Sequence, residues 1–112
     1  MADSSILFEV IDPRGITIRC SREQWEHHVL RNKPFMKQYL EEVKTALHNP
    51  DFICLDVNHD TRQCYYVRQS GSNLYLKVVV NLENEREANL VTAFLADSGK
   101  KGEKVIWPPL KD

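Results

Sequence analysis

The sequence predicts an α+β domain in which an N-terminal hairpin and two helices pack on a four-stranded antiparallel sheet. Two changes of hydrophobic period carry this prediction. Apolar residues alternate through the first twenty positions, recur at helical spacing from Ser21 to Asn49, and alternate again from Asp51 to about residue 95. The links between the later strands are too short for crossover helices, so those strands form an antiparallel meander whose apolar face the helices cover.

Taken in order, Ile6–Ile11 and Ile16–Cys20 flank Asp12-Pro13-Arg14-Gly15, where Asp, Pro and Gly occupy the positions that a type I turn prefers. This pair is the hairpin. Ser21 caps a helix from about Arg22 to Arg31, and Gln24, three residues on, completes a capping box. Pro34 pre-sets φ for the first turn of the second helix. Met36, Tyr39, Leu40, Val43, Ala46 and Leu47 form its apolar stripe, and Asn49-Pro50 ends it. Strands are expected at 51–57, 63–69, 74–82 and 89–95, divided by polar turns at 58–62, 70–73 and 83–87. Residues 98–104 read as a flexible basic loop, and the segment from Val105 to Pro109 as a short extended stretch returning Trp107 to the body.

A length of 112 residues suits a single domain spanning 1–112. Fifteen Lys and Arg against sixteen Asp and Glu give a net charge of -1 and no bulk field for a polyanion, so any nucleic-acid site has to be a local patch. Cys20, Cys54 and Cys64 are odd in number and lack C-x-x-C spacing. That disfavours a disulfide framework and a zinc site, and a reducing cytoplasm is the simplest home. No apolar run approaches the ~18 residues of a membrane span. The first eleven residues match neither a signal peptide nor an anchor, so no membrane partner is expected.

Turn lengths fix which side chains share a face, because a one-residue slip exchanges the two faces of a strand. A turn at Gly71-Ser72 sets Tyr66 opposite Lys77 and Arg68 opposite Tyr75. A four-residue link from Glu83 to Arg86 then sets Thr92 opposite Lys77 and Phe94 opposite Tyr75. One face thus gathers Tyr66, Arg68, Tyr75, Lys77, Thr92 and Phe94, with Asp56 at its flank and no carboxylate at its centre. The other face, with Tyr65, Val67, Leu74, Leu76, Val78 and Val80, is apolar. Cations, aromatic rings and a hydroxyl suit an anion such as a phosphodiester, although an exposed sheet face can carry such residues for solubility alone. Among the histidines, His48 and His59 fall at a helix end and in a turn, where capping or exposure explains them. In the first helix His28 should be buried with Trp25 and Val29, and His27 should be accessible.

With these features in order, the sequence resembles the phage-associated branch of the barnase, EndoU, colicin and RelE-like (BECR) nucleases. The residues that carry the resemblance are Thr17-Ile-Arg19, Trp25-Glu-His27, Asn49-Pro50-Asp51, Tyr65-Tyr66-Val67-Arg68, Lys77-Val-Val-Val80, Val91-Thr92-Ala93-Phe94 and Lys101-Gly102-Glu103. It spans about residues 16 to 107. It implies a BECR/RelE-like fold, helices preceding a four-stranded sheet, and metal-independent cleavage of RNA by attack of the ribose 2′-hydroxyl on the phosphodiester, with no cofactor. Position by position it points to His27 as general base or acid, Arg68 and Lys77 at the pentavalent phosphate, Thr92 as a hydrogen-bond donor and Tyr66 at a base or the leaving group. Tyr75, Phe94, Lys100 and Lys101 are candidates for substrate binding. The chain departs from the family where Lys33-Pro34-Phe35 replaces a common His-Pro-Glu, and where Phe94 supplies a ring without a hydroxyl. The alternative is a catalytically inactive binding domain of a phage or mobile-element protein with the same fold. If the domain is instead one half of a toxin and antitoxin pair, its partner is an antitoxin or immunity protein.

Overall fold

A computed structural model describes residues 5–97 and 101–109. The strands are β1 (Ile6–Ile11), β2 (Thr17–Ser21), β3 (Phe52–Leu55), β4 (Arg62–Arg68), β5 (Tyr75–Leu82), β6 (Glu87–Ala96) and β7 (Lys104–Trp107). Two helical stretches, α1 over residues 22–32 and α2 over residues 34–48, lie between β2 and β3.

The α+β class holds, but the sheet has seven strands and not four, in the order β1-β2-β6-β5-β4-β3-β7. The four expected strands are its centre, and both of their edges are covered. On one side the hairpin joins the sheet, Thr17, Ile18 and Arg19 pairing in parallel with Glu87, Ala88 and Asn89. On the other, β7 runs antiparallel to β3 and sets Val105 beside Cys54. A bare edge would leave a row of backbone donors and acceptors unpaired, and these additions satisfy them from within the chain.

α1 departs from ideal winding. Its Gln24–Val29 segment is a π-helix, in which the Leu30 N–H reaches back five residues to the Trp25 carbonyl, before a last α turn at Leu30–Asn32. The Ser21 hydroxyl accepts the Gln24 N–H at 3.0 Å, one half of the expected capping box. The Gln24 side chain does not complete the box, and donates to the Val91 carbonyl at 2.5 Å. Trp25 and Val29 are buried, whereas His28 is exposed, contrary to expectation. A turn closed over five residues takes more residues per revolution, and so swings His28 away from the Trp25–Val29 stripe. α2 begins as a 3₁₀ segment, Pro34–Tyr39, and continues as α-helix over Leu40–His48. Met36, Val43, Ala46 and Leu47 are buried as its periodicity requires, in one core with Ile18, Ile53, Tyr65, Leu76, Val78 and Val80. Leu74, expected among them, sits 37% exposed at the β4–β5 hairpin tip.

A buried polar knot locks the first hairpin to the underside of β4. Asp12, 3% exposed, accepts the backbone N–H groups of Arg14 (2.8 Å) and Ile16 (2.9 Å), the Tyr65 phenol (2.6 Å) and the Arg14 guanidinium (3.0 and 2.9 Å). Arg14 donates onward to Gln63 at 2.7 Å. Burial, and then the bond to Asp12, raise the Tyr65 pKa. Removing the carboxylate takes away the ion-pair partner of Arg14, which keeps Gln63, and the acceptor of a buried phenol and two amides, so Asp12→Ala is expected to lower unfolding free energy by about 3–5 kcal/mol in urea titrations. A loss within about 0.5 kcal/mol, the range of an ordinary surface substitution, would show that the hairpin is held by its strand pairing alone.

Candidate active site

The β4–β5 register is as the turn chemistry requires. Tyr66 pairs with Lys77 and Arg68 with Tyr75, and Gly71 takes φ 75° in the turn between them. The β5–β6 register differs from expectation, since Lys77 pairs with Phe94, Val79 with Thr92 and Tyr75 with Ala96. Two causes add. The link is one residue longer than expected, so that Leu82 meets Ala88, and a bulge at Val91 inserts a second extra residue into β6. Each shift alone would exchange the faces. Together they restore the parity, and Thr92 and Phe94 stay on the face of Lys77 and Tyr66. The Gln24 amide meets the carbonyl of the bulged residue, so the strand that carries Thr92 is pinned by α1.

At the centre of this face lies the carboxylate that the sequence reading left out. Glu103, in the turn before β7, accepts the Lys77 ammonium at 3.0 Å and the Tyr66 phenol at 2.5 Å. The ion pair is deeply buried, with side-chain exposures of 3% and 4%. Lys77 Nζ also lies 5.3 Å from the Tyr66 ring centre and 5.6 Å from that of Phe94, within cation–π range. Phe52 stacks on Tyr66 at 4.9 Å, and Tyr75 meets both rings edge-on. Burial, then the bond to Glu103 and its charge, raise the Tyr66 pKa and keep the phenol protonated. The spacing of Lys101-Gly102-Glu103 carried no sign of this role, because the pairing depends on where β7 returns.

Beside the pair a cleft of about 170 Å³ opens to solvent. β5 contributes Lys77, β6 contributes Thr92 and Phe94, the β3–β4 connection brings Asp56 and His59 to the rim, and β4 brings its first residue, Arg62. His59 and Arg62 are close because the Arg62 N–H bonds the His59 carbonyl at 3.1 Å. The Arg62 guanidinium has no hydrogen bond or ion pair among the described residues. Lys33, following α1, sets its ammonium 5.1 Å from the Phe94 ring centre.

The other expected site residues are dispersed. Arg68 lies at the hairpin tip, its side chain 3.5 Å from the side-chain amide oxygen of Asn73. His27 is exposed on α1 without a hydrogen bond or ion pair among the described residues. Lys101 is exposed in the turn before Glu103, while Lys100 lies outside the described residues, as do 98 and 99 of the expected basic loop. Among the described residues no three His, Cys, Asp or Glu side chains are arranged to hold a metal ion.

Residues 2–106 match the model of the phage-Barnase-EndoU-ColicinE5/D-RelE like nuclease2 family. The chain belongs to this family. No curated protein and no solved structure matches it. As a member of a nuclease family it has a nucleic acid as its class of substrate, and among its described residues no helix is long and apolar enough to cross a membrane.

The protonated groups beneath the site set a pH limit. Burial raises the Cys54 thiol to about 11 and the Cys64 thiol to about 12, against ~8.5 for a thiol in an unfolded chain. A folded-state pKa above the unfolded value gives stability that is complete below the unfolded pKa and lost as pH rises toward the folded one. Urea midpoints are therefore expected to hold from pH 7 to about 8.5 and to fall progressively above it toward pH 11. A midpoint that stays constant to pH 11 would contradict the burial of these thiols as neutral groups.

Proposed function

We propose that this family member is a metal-independent endoribonuclease that cleaves RNA by attack of the ribose 2′-hydroxyl on the adjacent phosphodiester. The observation that carries the reading is the cleft in which Lys77, Thr92 and Phe94 meet on the polar face of the sheet. An ammonium has three N–H donors, and Lys77 gives one to Glu103, so others can meet a phosphate oxygen. Thr92 adds a hydroxyl donor, and Phe94 a ring on which a base can stack. Arg68 stands two residues beyond Tyr66 on the same face and is assigned to a neighbouring phosphate of the same strand. Tyr66, fully buried with its hydroxyl given to Glu103, holds the floor. His27, which does not line this cleft, is assigned as the base for the 2′-hydroxyl on the family's W-x-H pattern.

These donors stabilise charge that grows on the phosphate only in the transition state, and it is there that fixed dipoles and cations accelerate reaction most. End-labelled RNA incubated with the protein in EDTA is expected to be cut to 2′,3′-cyclic phosphate and 5′-hydroxyl ends. Thr92→Ala and Arg68→Ala are each expected to lower the rate by about 10²–10³ if they act in the transition state. RNA left intact by pure, folded protein across a range of sequences would sink the proposal, and binding without cleavage would favour the inactive binding domain.

A further inference from the structure

We infer that His59, on the β3–β4 connection, and Arg62, the first residue of β4, complete the catalytic set, with His59 as the general acid for the leaving 5′-oxygen and Arg62 as a phosphate ligand. The inference rests on the endoribonuclease reading and extends it to residues that neither the sequence reading nor the family match singles out. Three observations lead here. First, the phenol that the family pattern would offer to the leaving group is spent, since Tyr66 is fully buried and bonded to Glu103. Second, His59 is an exposed imidazole on the rim of the cleft that holds Lys77 and Thr92. Third, Lys77 is paired with Glu103, so the floor of the cleft adds no net charge, whereas Arg62 brings a guanidinium with no ion-pair partner among the described residues to the same rim. A planar guanidinium meets two phosphate oxygens at once.

The proton balance is simple. The 2′-hydroxyl gives its proton to a base as the O2′–P bond forms. The P–O5′ bond breaks, and the departing 5′-oxygen takes a proton from the His59 imidazolium, which recovers one from water at the open mouth of the cleft. Imidazole is suited to this exchange because its ordinary pKa lies near neutral pH. Asp56, Arg62 and Lys77 share the cleft with His59, and Glu103 offsets the charge of Lys77.

A leaving group that needs no proton separates this role from all others. His59→Ala, Arg62→Ala and the unmodified protein are compared on an ordinary RNA and on the same RNA with a bridging 5′-sulfur at the scissile bond. His59→Ala should lose about 10²–10⁴-fold on ordinary RNA, keep close to full rate on the sulfur-linked RNA, and unfold at the same temperature as the unmodified protein. Arg62→Ala should lose rate on both substrates and show a shallower dependence of binding on salt. If His59→Ala cuts ordinary RNA at the full rate, or loses both substrates equally, the assignment of a general acid is overturned while the nuclease reading stands. If the unmodified protein cuts neither substrate, the nuclease reading falls and this inference falls with it.

Discussion

The buried ion pair between Lys77 and Glu103 is the interaction on which the polar face of the sheet depends. Taking an ammonium and a carboxylate out of water costs several kcal/mol for each ion, and only close pairing with further hydrogen bonding offsets this. Here the 3.0 Å contact, the Tyr66 phenol and the rings of Tyr66 and Phe94 supply the compensation. Every partner comes from a different part of the chain. Lys77 belongs to β5, Tyr66 to β4, Phe94 to β6, and Glu103 arrives only when β7 closes on β3. The pair can therefore form only in the completed sheet, and the closing segment becomes part of the site.

This arrangement divides the labour between floor and rim. The floor is neutral in sum and rigid, its lysine held by a carboxylate and its tyrosine held protonated by burial and the same carboxylate. Further cations stand outside the floor, Arg62 on the rim, Lys33 against Phe94 and Arg68 at the hairpin tip, and in the proposed function they supply the charge for a polyanion. A chain with a net charge of -1 can engage a phosphodiester in this way because its field is local. The bulge at Val91 makes the geometry possible, since without the second extra residue in β6 Thr92 and Phe94 would turn toward the core.

Local chemistry was legible in the sequence, and long-range pairing was not. The Asp12 turn, the stripe of the second helix and the Tyr66–Lys77 register each follow from residues within a few positions of one another, and each is present. The parallel pairing of β2 with β6 joins residues about seventy positions apart, and nothing in Thr17-Ile-Arg19 encodes it beyond a half-apolar pattern. Residues 104–107 read as extended, but their partner β3 could not be named in advance. His28 was misplaced because the π-helical turn answers to tertiary packing, including the reach of Gln24 to Val91, and not to spacing. Glu103 and Arg62 were missed for a common reason, as Glu103 stands in a charged turn and Arg62 at the start of β4 directly after one, where solvent is the ordinary explanation. Only the fold brings one beneath Lys77 and the other to the rim of the cleft.

The dependence of the site on the Lys77–Glu103 pair is tested most directly by a double-mutant cycle on unfolding free energy, using Lys77→Met, Glu103→Leu and the two together. Each single substitution leaves one buried charge without its partner and should cost about 3–5 kcal/mol. The double substitution removes both charges and should cost less than either single one, with a coupling of a few kcal/mol between the sites. Independent, additive losses, or single substitutions that cost nothing measurable, would contradict the account by showing that the two side chains do not hold each other in the folded protein.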